Sequence, residues 1–140
     1  MKTLTLRKDE LSAIYDLLLD MLPEGGTVVL RGDLASGKTT LVQAVAKRFG
    51  IEEPVTSPTF SLQQCYGNQL YHYDIYNHGI EHFLALGMLE ELERPGYHFI
   101  EWGDDTLVEL LAAAQMPAMV IKIEKCQNEK RCYSVEALRA

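Results

Sequence analysis

Apolar positions along this 140-residue chain recur with two different periods, and each period predicts one kind of element. A spacing of three or four residues predicts four helices, over residues 11–22, 40–49, 80–92 and 106–115. Short runs of apolar, aromatic and β-branched residues predict seven strands, over residues 3–6, 28–30, 60–66, 70–76, 97–100, 119–125 and 131–135. We therefore expect a mixed α/β sheet flanked by helices, with more antiparallel hairpins than a doubly wound fold contains.

The ends of these segments carry further signals. Asp9 stands before the first helix and is expected to be its N-cap, and Gly50 follows the second helix as a C′ residue. The run 28–30 lacks polar alternation, which is typical of a strand covered on both faces. Gly67 begins a tight turn between two strands, and Gly87 interrupts the third helix.

The segment from Gly32 to Thr39 reads Gly-Asp-Leu-Ala-Ser-Gly-Lys-Thr and lies between a predicted strand and a predicted helix. This is the pattern and the context of a phosphate-binding loop (P-loop), in which glycines let the backbone approach phosphate oxygens. Lys38 is expected to be a solvent-side charge in the empty site and to reach the β- and γ-phosphates, while Thr39 offers its hydroxyl to Mg²⁺. The chain is therefore predicted to bind a nucleoside triphosphate through Leu34, Ala35, Ser36, Gly37, Lys38, Thr39 and Thr40.

Glu101 directly follows the apolar run 97–100, where a neighbouring strand of a P-loop site carries the acid that holds Mg²⁺. The alternative is an exposed carboxylate at a strand end. Trp102 is expected near the nucleotide because the adjacent residue, Glu101, is expected there. Asp104 and Asp105 look like N-cap residues of the following helix.

Asp74 stands among aromatic and apolar residues in a predicted strand, where Asp is disfavoured unless it has a solvent face or a function. If it faces the phosphate loop, it can bind metal-bound water or orient the attacking water. The hydroxyl-rich loop 55–60 can be read as a γ-phosphate sensor or as a plain Ser/Thr-rich turn. His78 and His82 lack a third ligand, so no metal site is predicted there.

Composition limits the partners. The net charge is −7, and the 13 Lys and Arg residues are spread along the chain, which argues against strong direct binding of nucleic acid or an anionic membrane. No apolar stretch approaches the ~20 residues of a membrane span, and no signal-peptide core precedes the first strand, so we expect a cytoplasmic protein. Three cysteines without metal-ligand spacing predict reduced thiols, although Cys126 and Cys132 flank a predicted hairpin turn and could oxidise artificially.

Four segments, 32–40, 56–60, 72–76 and 100–103, occur in an order that resembles the TsaE (YjeE) family. They contain the phosphate loop and the motifs Thr-Ser-Pro-Thr-Phe, His-Tyr-Asp-Ile-Tyr and Ile-Glu-Trp-Gly. The resemblance covers almost the whole chain and implies a single P-loop ATPase domain over 1–140 that binds ATP and ADP and hydrolyses ATP slowly with Mg²⁺. It also implies docking onto the TsaB–TsaD protein complex, which holds tRNA and modifies the adenosine beside its anticodon to threonylcarbamoyladenosine.

Carried onto this sequence, the resemblance makes Lys38 and Thr39 the phosphate and Mg²⁺ residues and Glu101 the acidic metal ligand. It makes Asp74 the other catalytic carboxylate and Trp102 the tryptophan beside the nucleotide. The expected catalytic residues are therefore Asp74, Glu101 and Lys38, and the expected metal residues are Thr39 and Glu101.

Two positions depart from the family pattern, and two other functions stay open. The chain has Ala35-Ser36 where the family has Gly-Ala, and Asn77 where it has Arg; Arg131 is a candidate to supply a cation at the nucleotide. A small-molecule P-loop kinase would need a lid with several arginines, and the six arginines here are scattered. A nucleotide-dependent binding module with negligible hydrolysis is the other alternative.

Overall fold

The computed structural model describes residues 2–33, 37–52, 63–67, 69–75 and 79–138, and seven strands in this part of the chain form one sheet. The strands are β1 (Lys2–Leu6), β2 (Gly26–Arg31), β3 (Gln63–Tyr66), β4 (Leu70–Asp74), β5 (Tyr97–Glu101), β6 (Ala118–Lys125) and β7 (Arg131–Leu138). The helices are α1 (Ser12–Met21), α2 (Lys38–Arg48), α3 (Gly79–Ala85), α4 (Met88–Glu91) and α5 (Asp105–Ala113), and a 3₁₀ turn (Lys8–Glu10) precedes α1. None of these helices has both the length and the apolar character that crossing a bilayer requires.

The sheet has a parallel centre and antiparallel edges, in the order β1-β7-β6-β2-β5-β4-β3. Strand β2 pairs in parallel with β5 and β6, and β4 pairs in parallel with β5. The hairpins β3–β4 and β6–β7, with β1 added to β7, extend the sheet at its two edges. This confirms the predicted mixed sheet, and it brings the ends of β2, β4 and β5 to the same edge, where open α/β sheets bind ligands.

Side chains of β2 point alternately into two cores. Val28 and Leu30 pack with residues of α1 and α2, whereas Val29 packs on the opposite face with residues of α3 and α5. All three side chains are fully buried, and burying each contributes about 1.5–3 kcal/mol. The prediction that this strand is covered on both faces is therefore confirmed.

The first helix begins differently from the prediction. Asp9 lies inside the 3₁₀ turn and is not an N-cap, and α1 begins after Leu11. The Glu10 carboxylate accepts a hydrogen bond from the Arg7 N–H at 2.8 Å, and the Glu10 N–H donates to the Arg7 carbonyl at 2.9 Å. The prediction of Asp9 as a cap is wrong because these reciprocal bonds close a separate turn before the helix starts.

The hairpin β6–β7 joins Cys126 and Cys132 in a disulfide, with their Cα atoms 6.0 Å apart. The Cys126 N–H donates to the Lys130 carbonyl at 3.0 Å, so the turn brings the two side chains to the same end of the hairpin. The expectation of reduced thiols is wrong for this pair, because it rested on cysteine number and not on hairpin register. Cys65 is free and exposed.

A buried histidine connects β5 to β4 on the face away from α1 and α2. His98 Nδ1 lies 2.7 Å from the Tyr73 hydroxyl, and His98 Nε2 lies 2.8 Å from the Arg94 carbonyl. A carbonyl only accepts hydrogen bonds, so Nε2 carries a hydrogen and Nδ1 accepts from Tyr73. Burial lowers the pKa of His98, which favours the neutral ring that this arrangement requires.

The N-cap of α5 yields a stability prediction. Asp104 Oδ1 accepts a hydrogen bond from the Leu107 N–H at 3.0 Å, which confirms Asp104 as the predicted cap. Asp104→Ala is expected to lower the free energy of unfolding by about 1 kcal/mol, because the first turn loses an acceptor. Asp104→Asn keeps an acceptor oxygen and is expected to cost much less. Urea denaturation of both variants measures the difference, and equal losses would contradict the capping role.

Candidate functional site

The start of α2 presents backbone N–H groups at the edge of the sheet where β2, β4 and β5 end. Gly37 is the N-cap residue of α2 and has a φ of +112°, a left-handed conformation that disfavours any side chain. A Cβ at this position would meet no heavy atom of the described residues within 4 Å, so among these residues it is the backbone conformation that favours glycine. The N–H groups of the first turn and the positive end of the helix dipole together form an anion-binding position.

Lys38 is buried, which corrects the expectation of a solvent-side charge. Its ammonium donates to the Gly32 carbonyl at 2.7 Å and to the Asp33 carbonyl at 3.0 Å. It also lies 3.8 Å from the centre of the Trp102 ring. Burial lowers the Lys38 pKa, while the carboxylates of Glu101, Asp74 and Asp33 oppose that shift. The expectation is wrong because the loop backbone folds over the side chain and supplies acceptors for its hydrogens.

Glu101 ends β5 as a buried carboxylate, only 3% exposed. Its Oε2 atom accepts a hydrogen bond from the Thr39 hydroxyl at 2.8 Å and lies 2.5 Å from His72 Nε2. The alternative of an exposed carboxylate at a strand end is therefore wrong. Thr39, at the start of α2, and Glu101 form one hydrogen-bonded unit that joins the helix to the neighbouring strand.

Asp74 ends β4 and is half-buried. Parallel pairing sets it directly opposite Glu101 in register, so the two side chains leave the same face of the sheet. Its negative charge acts on the Lys38 ammonium. Sheet register thus brings together two carboxylates that are 27 residues apart in the sequence.

The chain immediately after Glu101 is held in an unusual conformation. Trp102 has a φ of +71°, which costs a residue with a side chain on the order of 1–2 kcal/mol. Its N–H donates to the Leu30 carbonyl at 3.1 Å. Arg31 Nε donates to the Gly103 carbonyl at 2.9 Å, and the Arg31 guanidinium pairs with Asp105 at 3.0 Å. These contacts fasten the segment to β2 and keep the indole over Lys38.

Gly103 fits this turn for a steric reason. A Cβ there would lie 2.5 Å from Val29 Cγ1 and 2.9 Å from Leu107 Cδ2. Substitution would therefore push the segment away from β2. Arg31 and His72 were not identified as site residues from the sequence, since their partners are distant in the chain; the signals were that Arg31 directly precedes the phosphate loop and that His72 is the first residue of the motif 72–76.

A cavity of about 960 Å³ opens beside the N-terminus of α2. Its walls combine the start of the chain, the first turn of α2 and the β6–β7 turn, and contain Arg7, Lys8, Asp9, Leu11, Gly37, Thr40, Asn128, Glu129, Arg131 and Tyr133. Arg131, the predicted cation, therefore lies at the same cavity as Gly37 of the phosphate loop and Thr40 of α2. The sequence did not identify Arg7 and Lys8, because β1 meets β7 only in the folded sheet.

Several predicted residues lie outside the described part of the chain: Leu34, Ala35, Ser36, the loop 55–60, Asn77, His78 and the side chain of His82. Among the described residues, no cluster of three or more His, Cys, Asp or Glu is arranged as a metal site. The donor set here is one hydroxyl and acidic side chains beside an anion-binding helix end. That set suits Mg²⁺, which takes few protein ligands and is completed by phosphate oxygens and water.

Comparisons with known proteins agree with this geometry. A sequence model of the family described as threonylcarbamoyl adenosine biosynthesis protein TsaE matches residues 5–133. The tRNA threonylcarbamoyladenosine biosynthesis protein TsaE of Treponema pallidum (strain Nichols) is 43% identical over 93 residues, which are 64% of this chain and 69% of that protein. The protein of the same name from Bacillus subtilis (strain 168) is 33% identical over 125 residues, or 87% of this chain and 77% of the relative.

A solved structure extends the similarity to the fold. The crystal structure of Bacillus subtilis YdiB superposes with a TM-score of 0.67 at 26% sequence identity. The match covers 98% of this chain and 86% of that chain. The overall fold is therefore shared with a solved structure.

The buried state of Lys38 predicts that its loss destabilises the nucleotide-free protein. Lys38→Met keeps the apolar stem but removes the ammonium, leaving two carbonyls and nearby carboxylates without their cation. We expect the free energy of unfolding to fall by about 1–3 kcal/mol. Lys47→Met, an exposed lysine of the same helix, is the control and should change it by less than about 0.5 kcal/mol.

Urea denaturation followed by Trp102 fluorescence measures both variants, since Trp102 is the single tryptophan of the sequence. A Lys38→Met variant as stable as the unaltered protein would contradict a structural role for the ammonium in the free site.

Proposed function

Because this chain belongs to the TsaE family of threonylcarbamoyl adenosine biosynthesis proteins, we propose that it is a Mg²⁺-dependent ATPase acting on the TsaB–TsaD complex. The family assignment connects it to threonylcarbamoyladenosine biosynthesis. The ATPase part of the proposal rests on one observation. At the N-terminus of α2 the Thr39 hydroxyl bonds to the Glu101 carboxylate, and the charges of Glu101 and Asp74 both act on the Lys38 ammonium.

Phosphate binding is proposed for Lys38 and the N–H groups around Gly37, Thr39 and Thr40. In the free protein the Lys38 ammonium is already desolvated and already aimed at loop carbonyls, so the arriving phosphate replaces existing acceptors instead of water. Leu34, Ala35 and Ser36, which lie outside the described residues, are proposed as further phosphate-binding residues from the sequence pattern.

Mg²⁺ is proposed to bind between the phosphates and the pair Thr39–Glu101. The pair fits the ion because the Thr39 hydroxyl donates its hydrogen to Glu101 Oε2, which leaves the oxygen lone pairs of Thr39 available to a cation. When bound, Mg²⁺ would neutralise charge that develops on the phosphate oxygens. Glu101, buried and held from two sides, keeps the hydroxyl in that orientation.

Hydrolysis is proposed to depend on Asp74. Its carboxylate leaves the sheet beside Glu101, close enough to Lys38 to act on the charge of that ammonium. From this position it can accept a hydrogen bond from the attacking water and orient that water toward the γ-phosphate. Trp102 is proposed to report the state of the site, since its ring covers Lys38.

The cavity beside α2 is the proposed position of the nucleoside, with Arg131 as a contact to the nucleotide. It adjoins Gly37 and Thr40, so an ATP molecule whose phosphates lie at the loop can place its base and ribose there. The basic side chains Arg7, Lys8 and Arg131 would offset the nucleotide's charge. Arg131 would thereby supply the positive charge that the family pattern places in an arginine and that Asn77 lacks.

We propose that this chain docks onto protein partners and not directly onto tRNA. The net charge of −7 disfavours strong direct contact with a polyanion, so tRNA is proposed to be held by the TsaB–TsaD complex. ATP hydrolysis here would then reset that complex between turnovers, in the cytoplasm and away from membranes.

The central test measures ATP affinity with and without Mg²⁺, together with phosphate release. We expect the unaltered chain to bind ATP more tightly with Mg²⁺ than with EDTA. Glu101→Gln is expected to lower the Mg²⁺-dependent gain by about 10-fold or more, while metal-free affinity stays within about threefold. Glu109→Gln, an exposed carboxylate on α5, is the control and should behave as the unaltered chain. Absence of ATP binding by the unaltered chain would refute the proposal.

Asp74→Asn separates binding from turnover. The variant keeps the size of the side chain but loses its charge, so ATP should still bind while hydrolysis falls by about 100-fold or more. With TsaB, TsaD and the remaining partners present, it should assemble yet fail to sustain repeated tRNA modification.

Multiple-turnover modification, measured beside ATP affinity, checks this expectation. Unimpaired turnover by Asp74→Asn would make Asp74 a structural residue. Partner-stimulated modification without any phosphate release by the unaltered chain would instead favour a binding module over an ATPase.

A further inference from the structure

A fully buried histidine, His72 on β4, contacts Glu101 of the candidate metal site. Its Nε2 atom lies 2.5 Å from Glu101 Oε2, the same oxygen that accepts the Thr39 hydroxyl. Its side chain is completely inaccessible to solvent, and its Nδ1 atom has no hydrogen-bond partner among the described residues. The single described hydrogen bond of this imidazole is therefore directed at Glu101.

The direction of that hydrogen bond follows from the chemistry of its partners. An ionised carboxylate only accepts, and the Thr39 hydroxyl already donates to Oε2, so His72 contributes a second hydrogen through Nε2. Two donors from two different elements, α2 and β4, thus converge on one oxygen of a residue on β5. Such convergence restricts rotation of the carboxylate, which a single donor would permit.

We propose that His72 is a positioning residue for Mg²⁺-dependent nucleotide binding: its Nε2–H holds Glu101 Oε2 where that oxygen receives the Thr39 hydroxyl. The inference rests on the proposed function, since it concerns the same Thr39–Glu101 pair. His72 touches neither nucleotide nor metal in this scheme and acts only through Glu101. Loss of its hydrogen would let the carboxylate turn and would disorient the hydroxyl oxygen that Mg²⁺ needs.

The sheet places a matched control on the neighbouring strand. His98 is also completely buried and also makes hydrogen bonds, but it lies on the opposite face of the sheet, against Tyr73 and the Arg94 carbonyl. Substituting either histidine should lower the stability of the protein. Only substitution of His72 should alter the dependence of nucleotide binding on Mg²⁺.

The test compares two exchanges at one position. In His72→Gln the amide nitrogen lies where Nε2 lay and can still donate to Glu101, whereas the shorter side chain of His72→Asn cannot reach. Titration of Mg²⁺ at fixed ATP, read by bound nucleotide, should give a half-saturating Mg²⁺ concentration raised about 10-fold or more in His72→Asn. His72→Gln and His98→Gln should stay within about threefold of the unaltered chain, and ATP affinity in EDTA should change little in all three.

A double-substitution cycle shows whether His72 acts through Glu101. In a Glu101→Gln background, His72→Asn should add less than about a twofold change to the Mg²⁺ requirement, because the group that it positions is already altered. Independent, multiplying effects would overturn the inference. So would a folded His72→Asn variant with an unchanged Mg²⁺ requirement, or equal effects of the Asn and Gln exchanges, which would indicate packing.

If His72→Asn fails to fold, ¹⁵N chemical shifts of the His72 ring in the unaltered chain decide the question. A hydrogen on Nε2 supports the proposal, and a bare Nε2 beside a hydrogen on Nδ1 overturns it. These results leave the proposed function intact. Failure of the unaltered chain to bind ATP with Mg²⁺ would overturn that function and this inference together.

Discussion

Parallel pairing of β4, β5 and β2 is the constraint from which the candidate site follows. Because β5 pairs in parallel on both sides, all three strands end at the same edge of the sheet, and register sets Asp74 against Glu101 and Glu101 against Leu30. The phosphate loop leaves β2 at this edge and leads into α2. Sheet hydrogen bonds therefore determine the relative positions of groups that are far apart in the sequence.

The charged groups at this edge of the sheet are stabilised by polar groups of the protein and not by water. Lys38 and Glu101 are both buried, which is costly unless each has polar partners. Loop carbonyls and the face of Trp102 surround the ammonium, while Thr39 and His72 donate to the carboxylate. The polar groups of this site are thus held by protein contacts in the ligand-free chain.

One strained backbone position lies beside the same groups and is held by specific contacts. Trp102 adopts a left-handed conformation that only supporting contacts can maintain, and Arg31 provides them by bonding to Gly103 and Asp105. On the other face of the sheet, Tyr73 and His98 form a neutral, internally satisfied pair. The contrast between the two buried histidines shows how one residue type stabilises packing in one place and orients an acid in another.

The amino-acid sequence by itself determined the elements, the phosphate loop and the strand-end position of Glu101, because these depend on periodicity and on residues close together in the chain. The strand context made Asp74 a candidate, family resemblance added the expectation that it is the other catalytic carboxylate, and the family match confirmed the resemblance itself. Tertiary structure alone decided that Lys38 is buried, that His72 reaches Glu101, that Cys126 meets Cys132, and that β1 and β7 complete a cavity with α2. The contact of His72 with Glu101 and the cavity shared by β1, β7 and α2 depend on strand register, which local hydrophobic spacing does not give, since a shift of one residue in register would move every side chain to the other face. The burial of Lys38 depends instead on how the carbonyls of Gly32 and Asp33 fold over its ammonium.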